Sequence, residues 1–295
     1  MGKAERQSPQ PASHDRPPSA AVEKVTIRGV EVTLATPDDH RTEWVDYNEY
    51  RLQLEAAWLR LSDSEPPLNP RLIGDPGLGK TTLVCATAGH IGRPLFIFQC
   101  TMDTRPEDLL ITPVLTADKR IEYRASAVVS AMLKGGVLLL DEGNRMPERS
   151  WASLAPMLDG RRYVESALTA LKIHAHPDFR MCVTMNDDTS TYELPGYIRS
   201  RLKPKIEIVA PPWPVQEQIV RLKCPGVDED LLVAVFEELK RRAKDNRHDT
   251  IRDMLSLAEY VHKLRTKGVS APFEKAVQQV LGAHGSPSGG SEAEA

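Results

Sequence analysis

The sequence predicts an α/β fold: a three-layer core in which helices cover both faces of a parallel sheet, followed by an all-helical C-terminal part. Three observations predict it. A glycine-rich loop, Gly74 to Thr81, lies between a short apolar run and a helical one. A second apolar run, Val137-Leu138-Leu139-Leu140, ends in Asp141-Glu142, the pattern of a strand buried on both faces of a parallel sheet. Beyond Pro211-Pro212-Trp213-Pro214 the strand-like runs stop and helical periodicity takes over.

The glycine-rich loop reads Gly74-Asp75-Pro76-Gly77-Leu78-Gly79-Lys80-Thr81, and Thr82 continues into the helix. It fits G-x-x-x-x-G-K-[ST], the phosphate-binding loop. Glycines let the backbone fold tightly around an anion with its N–H groups pointing inward. A lysine at position 80 reaches the β- and γ-phosphates, and the Thr81 hydroxyl is a Mg²⁺ ligand. The positive end of the following helix adds to the attraction.

Composition narrows the class. Of 295 residues, 41% are hydrophobic and 27% charged, enough for a packed core with an ordinary soluble surface. The net charge of −3 gives no general attraction to nucleic acid or membrane surfaces. No run approaches the ~18–20 apolar residues of a membrane span. Residues 1–22 lack the apolar centre of a signal peptide. The four scattered cysteines, Cys85, Cys100, Cys182 and Cys224, read as small buried hydrophobes of a reducing compartment. A cytoplasmic protein without a membrane partner is the expectation.

In chain order, residues 1–22 read as a disordered tail. Lys24 to Leu34 alternates around Arg28-Gly29 as a small hairpin. Trp44, Tyr47, Leu54, Trp58 and Leu61 recur at helical spacing, which predicts a helix over 42–61 and an N-terminal unit over 23–62. Asp63 to Pro70 is a linker. The α/β core spans 63–210. Strands are predicted at Arg71–Ile73, Pro94–Gln99, Val137–Leu140, Arg180–Met185 and Ile206–Val209. Short helical or hairpin elements fall at 104–110, 116–123, 125–134 and 147–158, with a second hairpin from Arg161–Val164 and Leu171–His174. His174 and His176 alternate and share a face, but no third ligand accompanies them, so no zinc site is assigned. Residues 211–214 are a linker into helices at 228–242, 250–265 and 272–281, a helical part over 211–282. Residues 283–295 are a second disordered tail.

Ligands of parallel sheets bind at the carboxyl ends of the strands. Asp141 and Glu142 therefore belong near the triphosphate. Asp141 suits the Mg²⁺ shell, and Glu142 suits a general base that orients and deprotonates the attacking water.

Gly74–Thr81, Leu139-Leu140-Asp141-Glu142-Gly143-Asn144-Arg145, Met181 to Asn186, Arg199-Ser200-Arg201-Leu202 and Thr250-Ile251-Arg252-Asp253 follow one another in the order of an AAA+ ATPase. The Asp-Glu-x-Asn-Arg signature and the preceding hairpin resemble the MoxR-type and midasin/dynein-related group. The resemblance covers about residues 63–281 and implies an AAA+ core with a helical lid. It implies that Asn186 is the sensor-1 residue, that Arg201 or Arg199 is an arginine finger reaching a neighbouring subunit's nucleotide, and that Arg252 is the sensor-2 residue. It also implies ATP and Mg²⁺ as cofactors and a homo-oligomeric ring, often a hexamer. Two positions depart from the family pattern, Asp75 and Gly143, and neither removes a chemical group.

No N-K-x-D guanine-reading motif is present, so ATP is expected over GTP. The reading that follows is a Mg²⁺-dependent ATPase that remodels a protein partner, such as one with a von Willebrand factor A-type domain. The alternatives are a nucleic-acid motor or restriction-type subunit, which would need a basic stripe, and a nucleotide-gated binding module that hydrolyses little. The conspicuous basic clusters, Arg161-Arg162, Arg199 to Lys205 and Lys240 to Lys244, read as solvated faces.

Overall fold

In a computed structural model that describes residues 23–38, 42–62, 65–186, 193–247 and 249–282, the chain opens with a hairpin, β1 (Lys24–Ile27) and β2 (Val30–Thr33). Helix α1 (Tyr50–Trp58) leads to β3 (Arg71–Gly74), then α2 (Lys80–His90) and β4 (Leu95–Gln99). A hairpin follows, β5 (Ile111–Leu115) and β6 (Ile121–Ala125), then α3 (Ala127–Lys134) and β7 (Val137–Asp141). Next come α4 (Glu148–Leu154), the hairpin β8 (Tyr163–Ser166) and β9 (Leu171–His174), and β10 (Arg180–Asn186). A short helix α5 (Gly196–Arg199) precedes β11 (Lys205–Glu207). Four helices end the described chain: α6 (Trp213–Lys223), α7 (Glu229–Lys244), α8 (Ile251–Thr266) and α9 (Pro272–Val280). The two predicted tails, 1–22 and 283–295, lie outside the described residues.

The central sheet is parallel, in the order β11-β3-β10-β7-β4. Its middle strands carry no polar side chain toward either face in their inner stretch. Leu138 and Leu140 of β7 join one core with Met181, Val183 and Trp151, while Val137 and Leu139 join the other with Leu72, Leu83, Val84 and Cys182. Such strands need helices on both sides, and α2 covers one face while α3 covers the other. α3 is set locally: the Ser126 hydroxyl accepts from Val129 N at its start, and Gly135 at φ 64° ends it.

The two N-terminal expectations fare differently. The hairpin forms, but it is no isolated unit: β2 runs parallel to β6, so a four-stranded sheet β1-β2-β6-β5 joins it to the later hairpin. The helix predicted over 42–61 shrinks to nine residues. Asn48 and Glu49 both take φ 55°, the left-handed region, and break the helical path just before Tyr50. Trp44 and Tyr47 instead stack on each other at 5.6 Å in an extended segment, and Leu61 is exposed. Their helical spacing was coincidental.

The predicted linker 211–214 is also corrected. Trp213 and Pro214 open α6, where Pro occupies the first turn and its missing N–H costs nothing. The helix expected over 147–158 stops at Leu154, before Pro156. β9 ends at His174, so His174 and His176 do not share a strand face. His174 packs on Tyr163, and His176 Nδ1 accepts from Asp178 N at 3.1 Å. All four cysteines are free and buried.

Helices α6–α9 build their own core. Leu232, Val235, Phe236 and Leu239 of α7 recur at helical spacing and meet Met254, Leu257 and Val261 of α8. The same helices bury a bidentate pair: Arg242 Nε and Nη2 donate to Asp249 at 2.6 and 2.9 Å, with side chains 4% and 13% exposed. A buried pair costs most when one partner is removed. Asp249→Ala should lower the unfolding free energy by about 3 kcal/mol in urea titrations. Replacing both partners, by Arg242→Met with Asp249→Leu, should recover most of that loss.

Candidate active site

Three strand ends lie together at one edge of the sheet, those of β3 and β10 level and that of β7 two residues short of β10. β10 pairs with β3 so that Asn186 sits opposite Gly74, and with β7 so that Val183 sits opposite Leu140. The phosphate-binding loop, the acidic pair and Asn186 therefore converge. The loop needs its glycines for two reasons. Gly77 and Gly79 adopt φ 85° and 80°, where a side chain is strained. A Cβ at Gly74 would come within 2.3 Å of Ile208 O, at the end of β11.

Lys80, the first residue of α2, is buried. Its ammonium donates to Gly74 O and Asp75 O, both at 2.8 Å, and to Asn186 Oδ1 at 2.9 Å. Burial pulls its pKa below the usual lysine value, against the opposing pull of Asp141, Asp75 and Glu142.

Thr81 Oγ1 donates to Asp141 Oδ1 at 3.0 Å, and Thr184 Oγ1 donates to the same oxygen. Two oxygen donors side by side next to a phosphate cradle fit Mg²⁺, which takes few protein ligands and completes its octahedron with phosphate and water. Glu142 sits at φ 54°, and its N–H donates to Thr184 Oγ1 at 3.0 Å. Its carboxylate receives Asn186 Nδ2 at 3.3 Å and Gln99 Nε2 at 3.2 Å, and Arg145 Nε lies 2.8 Å away. Asn144 Nδ2 donates to Asn186 O at 3.0 Å and steadies the strand end.

Pro76, Gly77, Leu78, Gly79, Lys80, Thr81, Thr82, Asp141, Glu142, Asn186 and Arg252 all line one cavity of about 290 Å³. Gly74 and Asp75 stand behind it, through their carbonyls on Lys80. Arg252 arrives on α8, whose start is fixed by a capping box between Thr250 and Asp253. A Cβ at Gly77 would lie 3.2 Å from the Thr250 side chain, so the loop and α8 are in close approach.

Arg199 and Arg201 are not in this cavity. Arg199 Nη1 donates to the exposed Glu193 at 2.9 Å. Arg201 Nη1 donates to Tyr197 O at 2.7 Å, and its Nε lies 3.5 Å from Asp159 Oδ2.

Residues 71–202 match the sequence profile of the AAA domain, dynein-related subfamily. That stretch holds the phosphate-binding loop, the acidic pair and Asn186, and is similar to the AAA domain there. The chain is 29% identical over 167 residues to Protein NorQ of Paracoccus denitrificans, covering 54% of this chain and 58% of that one. Protein MoxR of Paracoccus denitrificans is 29% identical over 166 residues, covering 55% and 48%. Von Willebrand factor A domain-containing protein 8 of Mus musculus is 26% identical over 222 residues, covering 68% of this chain and 12% of that one. The chain thus spans less than two thirds of the length of each of these relatives. Among solved structures, the Thermotoga maritima RuvB Holliday junction branch migration motor superposes with a TM-score of 0.52 at 19% identity, over 79% of this chain and 68% of that chain. That likeness establishes the fold.

The site includes residues that sequence reasoning missed. Gln99 ends β4 directly opposite Asp141, and Thr184 sits two residues before Asn186; both are polar ends of apolar strands, a signal present in the sequence. The cavity wall formed by Glu43, Trp44 and Val45 left no such signal, nor did Ile219, Leu222 and Lys223 of α6. Lys223 Nζ donates to Thr42 Oγ1 at 2.7 Å, joining these two walls. The Trp44 ring would lie 3.1 Å from a Cβ at Gly79, over the phosphate-binding loop.

A nucleotide entering this cavity meets Trp44. Loss of an aromatic contact to a base costs about 1–3 kcal/mol. Trp44→Ala should therefore weaken binding of a fluorescent ATP analogue by about tenfold or more, with the fold retained by circular dichroism.

Proposed function

We propose that the protein is a Mg²⁺-dependent ATPase whose subunits complete one another's sites in a ring, six-membered by resemblance, and that it remodels a partner protein. The observation that carries this reading is the convergence of Glu142, Asn186, Lys80 and the Thr81–Asp141 pair on one cavity. Lys80 would hold the β- and γ-phosphates. Thr81 and Asp141 would hold Mg²⁺, which would neutralise charge on the phosphates. Glu142 would accept the proton of the attacking water, and Asn186 would keep that water and the carboxylate aligned. Arg252 would act on the phosphates within its own subunit, from a helical lid over 211–282. Arg201 or Arg199 would come from the neighbour.

The partner class follows from the relatives. One relative's name includes a von Willebrand factor A domain, and we infer a partner with a domain of that type. A nucleic-acid role receives little support from the charges. Arg161 pairs with Asp159, Arg199 with Glu193, Lys205 with Glu207, Lys240 with Glu217 and Arg241 with Glu238. The basic clusters are thus interleaved with acids rather than laid out as a stripe. We place the protein in the cytoplasm; among the described residues no helix is long and apolar enough to cross a membrane.

ATP turnover per subunit should rise as protein concentration is raised through the assembly range. Glu142→Gln should cut turnover by roughly 10²–10⁴-fold while leaving ATP binding within about a factor of three. Unchanged turnover in Glu142→Gln would overturn its assignment as the base.

A further inference from the structure

The two finger candidates are mounted very differently. Arg199 reaches out to Glu193, whose side chain is 85% exposed. Arg201 is held from several sides. Buried Asn69 donates its Nδ2 to Leu158 O at 2.9 Å and to Arg201 O at 3.4 Å, so one side chain ties the segment before Asp159 to Arg201 itself. Arg71 Nη1 donates to Arg199 O at 2.9 Å and Leu202 O at 2.8 Å, gripping the backbone on both sides of Arg201. Both ties come from β3 or from two residues ahead of it, the strand that ends in the phosphate-binding loop.

The side chain is held as well. Tyr197 O takes Nη1, and Asp159 lies against Nε. Asp159 is itself clamped: Arg161 donates Nε and Nη2 to its two oxygens at 3.0 and 2.8 Å, and Arg161 N donates to Oδ1 at 3.0 Å. The Arg161 guanidinium first, and Arg201 in addition, hold the Asp159 carboxyl down at about 2. It is ionised throughout the range in which the protein would work.

We propose that Asp159 is the positioning residue for Arg201: it fixes one edge of the guanidinium so that the other is presented to a neighbouring subunit's nucleotide. The inference rests on the reading that a finger acts in trans, and selects Arg201 for it. A flexible arginine must be ordered each time it meets a phosphate. One already held by a carboxylate and a carbonyl loses less freedom on contact. Asp159 does not touch the nucleotide; it acts through Arg201.

Mixed assemblies test this. Glu142→Gln subunits keep the finger but lack the base, and Arg201→Ala subunits keep the base but lack the finger. Co-expressed, they should regain ATP turnover that neither shows alone. Adding Asp159→Asn to the Glu142→Gln subunit, the finger donor, should lower the regained turnover about 10–100-fold with KM for ATP unchanged. Adding it to the Arg201→Ala subunit should leave the regained turnover within about twofold. Arg161→Gln in the donor, which loosens the Asp159 carboxylate but leaves it beside Arg201, should cost less than Asp159→Asn. Equal loss from either subunit would assign Asp159 a merely structural role and overturn the inference. So would a donor Arg161→Gln that matches Asp159→Asn, since Asp159 would then act through Arg161. Full turnover in Arg201→Ala alone would remove Arg201 as the finger. An active wild type whose mixed assemblies regain nothing would overturn the trans reading itself, and the inference with it.

Discussion

The structure depends on three parallel strands ending together at one edge, and on one ammonium that spans the gap between two of them. β3 must stop at Gly74, β7 at Asp141 and β10 at Asn186. Lys80 then reaches the carbonyls behind the loop and the Asn186 amide together. A slip of one residue in β10 would turn Asn186 and Thr184 to the opposite face. Such a slip would break the contacts of Asn186 with Lys80 and Glu142 and of Thr184 with Asp141, so the register of β10 sets the geometry of the site.

Two peripheral parts of the chain close the cavity over that edge. The segment ahead of α1 is secured by its aromatics. Tyr47 Oη donates to Val209 O at 3.0 Å, and Val209 N donates to Tyr50 Oη at 3.2 Å. Val209 lies where the sheet gives way to the helical cluster. One residue at that junction is therefore held by two tyrosines, of which Tyr47 stacks on Trp44 and Tyr50 packs edge-on against Tyr47. The strained backbone at Asn48 and Glu49 lies between Tyr47 and Tyr50, which both reach the backbone of Val209.

Charge is managed locally across the molecule. Arginines cap carbonyls or meet acids, as Arg71, Arg145, Arg201 and Arg242 do. This accounts for a basic run such as Arg199–Lys205 that carries no basic surface stripe. It also separates two arginines that look equivalent in a line of letters, because the Arg201 side chain is held by Tyr197 O and Asp159 while that of Arg199 meets the exposed Glu193.

The phosphate-binding loop and the acidic pair were legible in the sequence because their chemistry is local: a turn and a strand end that a few neighbouring residues specify. Asn186 and Arg252 entered through the family resemblance, and the structure brings both to the same cavity. The sheet's five strands were legible for a similar reason, since burial on both faces leaves continuous apolar runs. The role of 42–47 was not legible: Trp44 and Tyr47 sit at helical spacing, yet their partners are more than thirty residues away in the loop and more than a hundred away at Val209. α6 was hidden by prolines that suit a helix start as well as a linker. The joining of the N-terminal hairpin to β6 and the clamp of Asn69, Asp159 and Arg71 around Arg201 were likewise decided by tertiary structure. Those contacts depend on where distant segments meet, and an amide or a carboxylate in sequence does not state which carbonyl or guanidinium it will find.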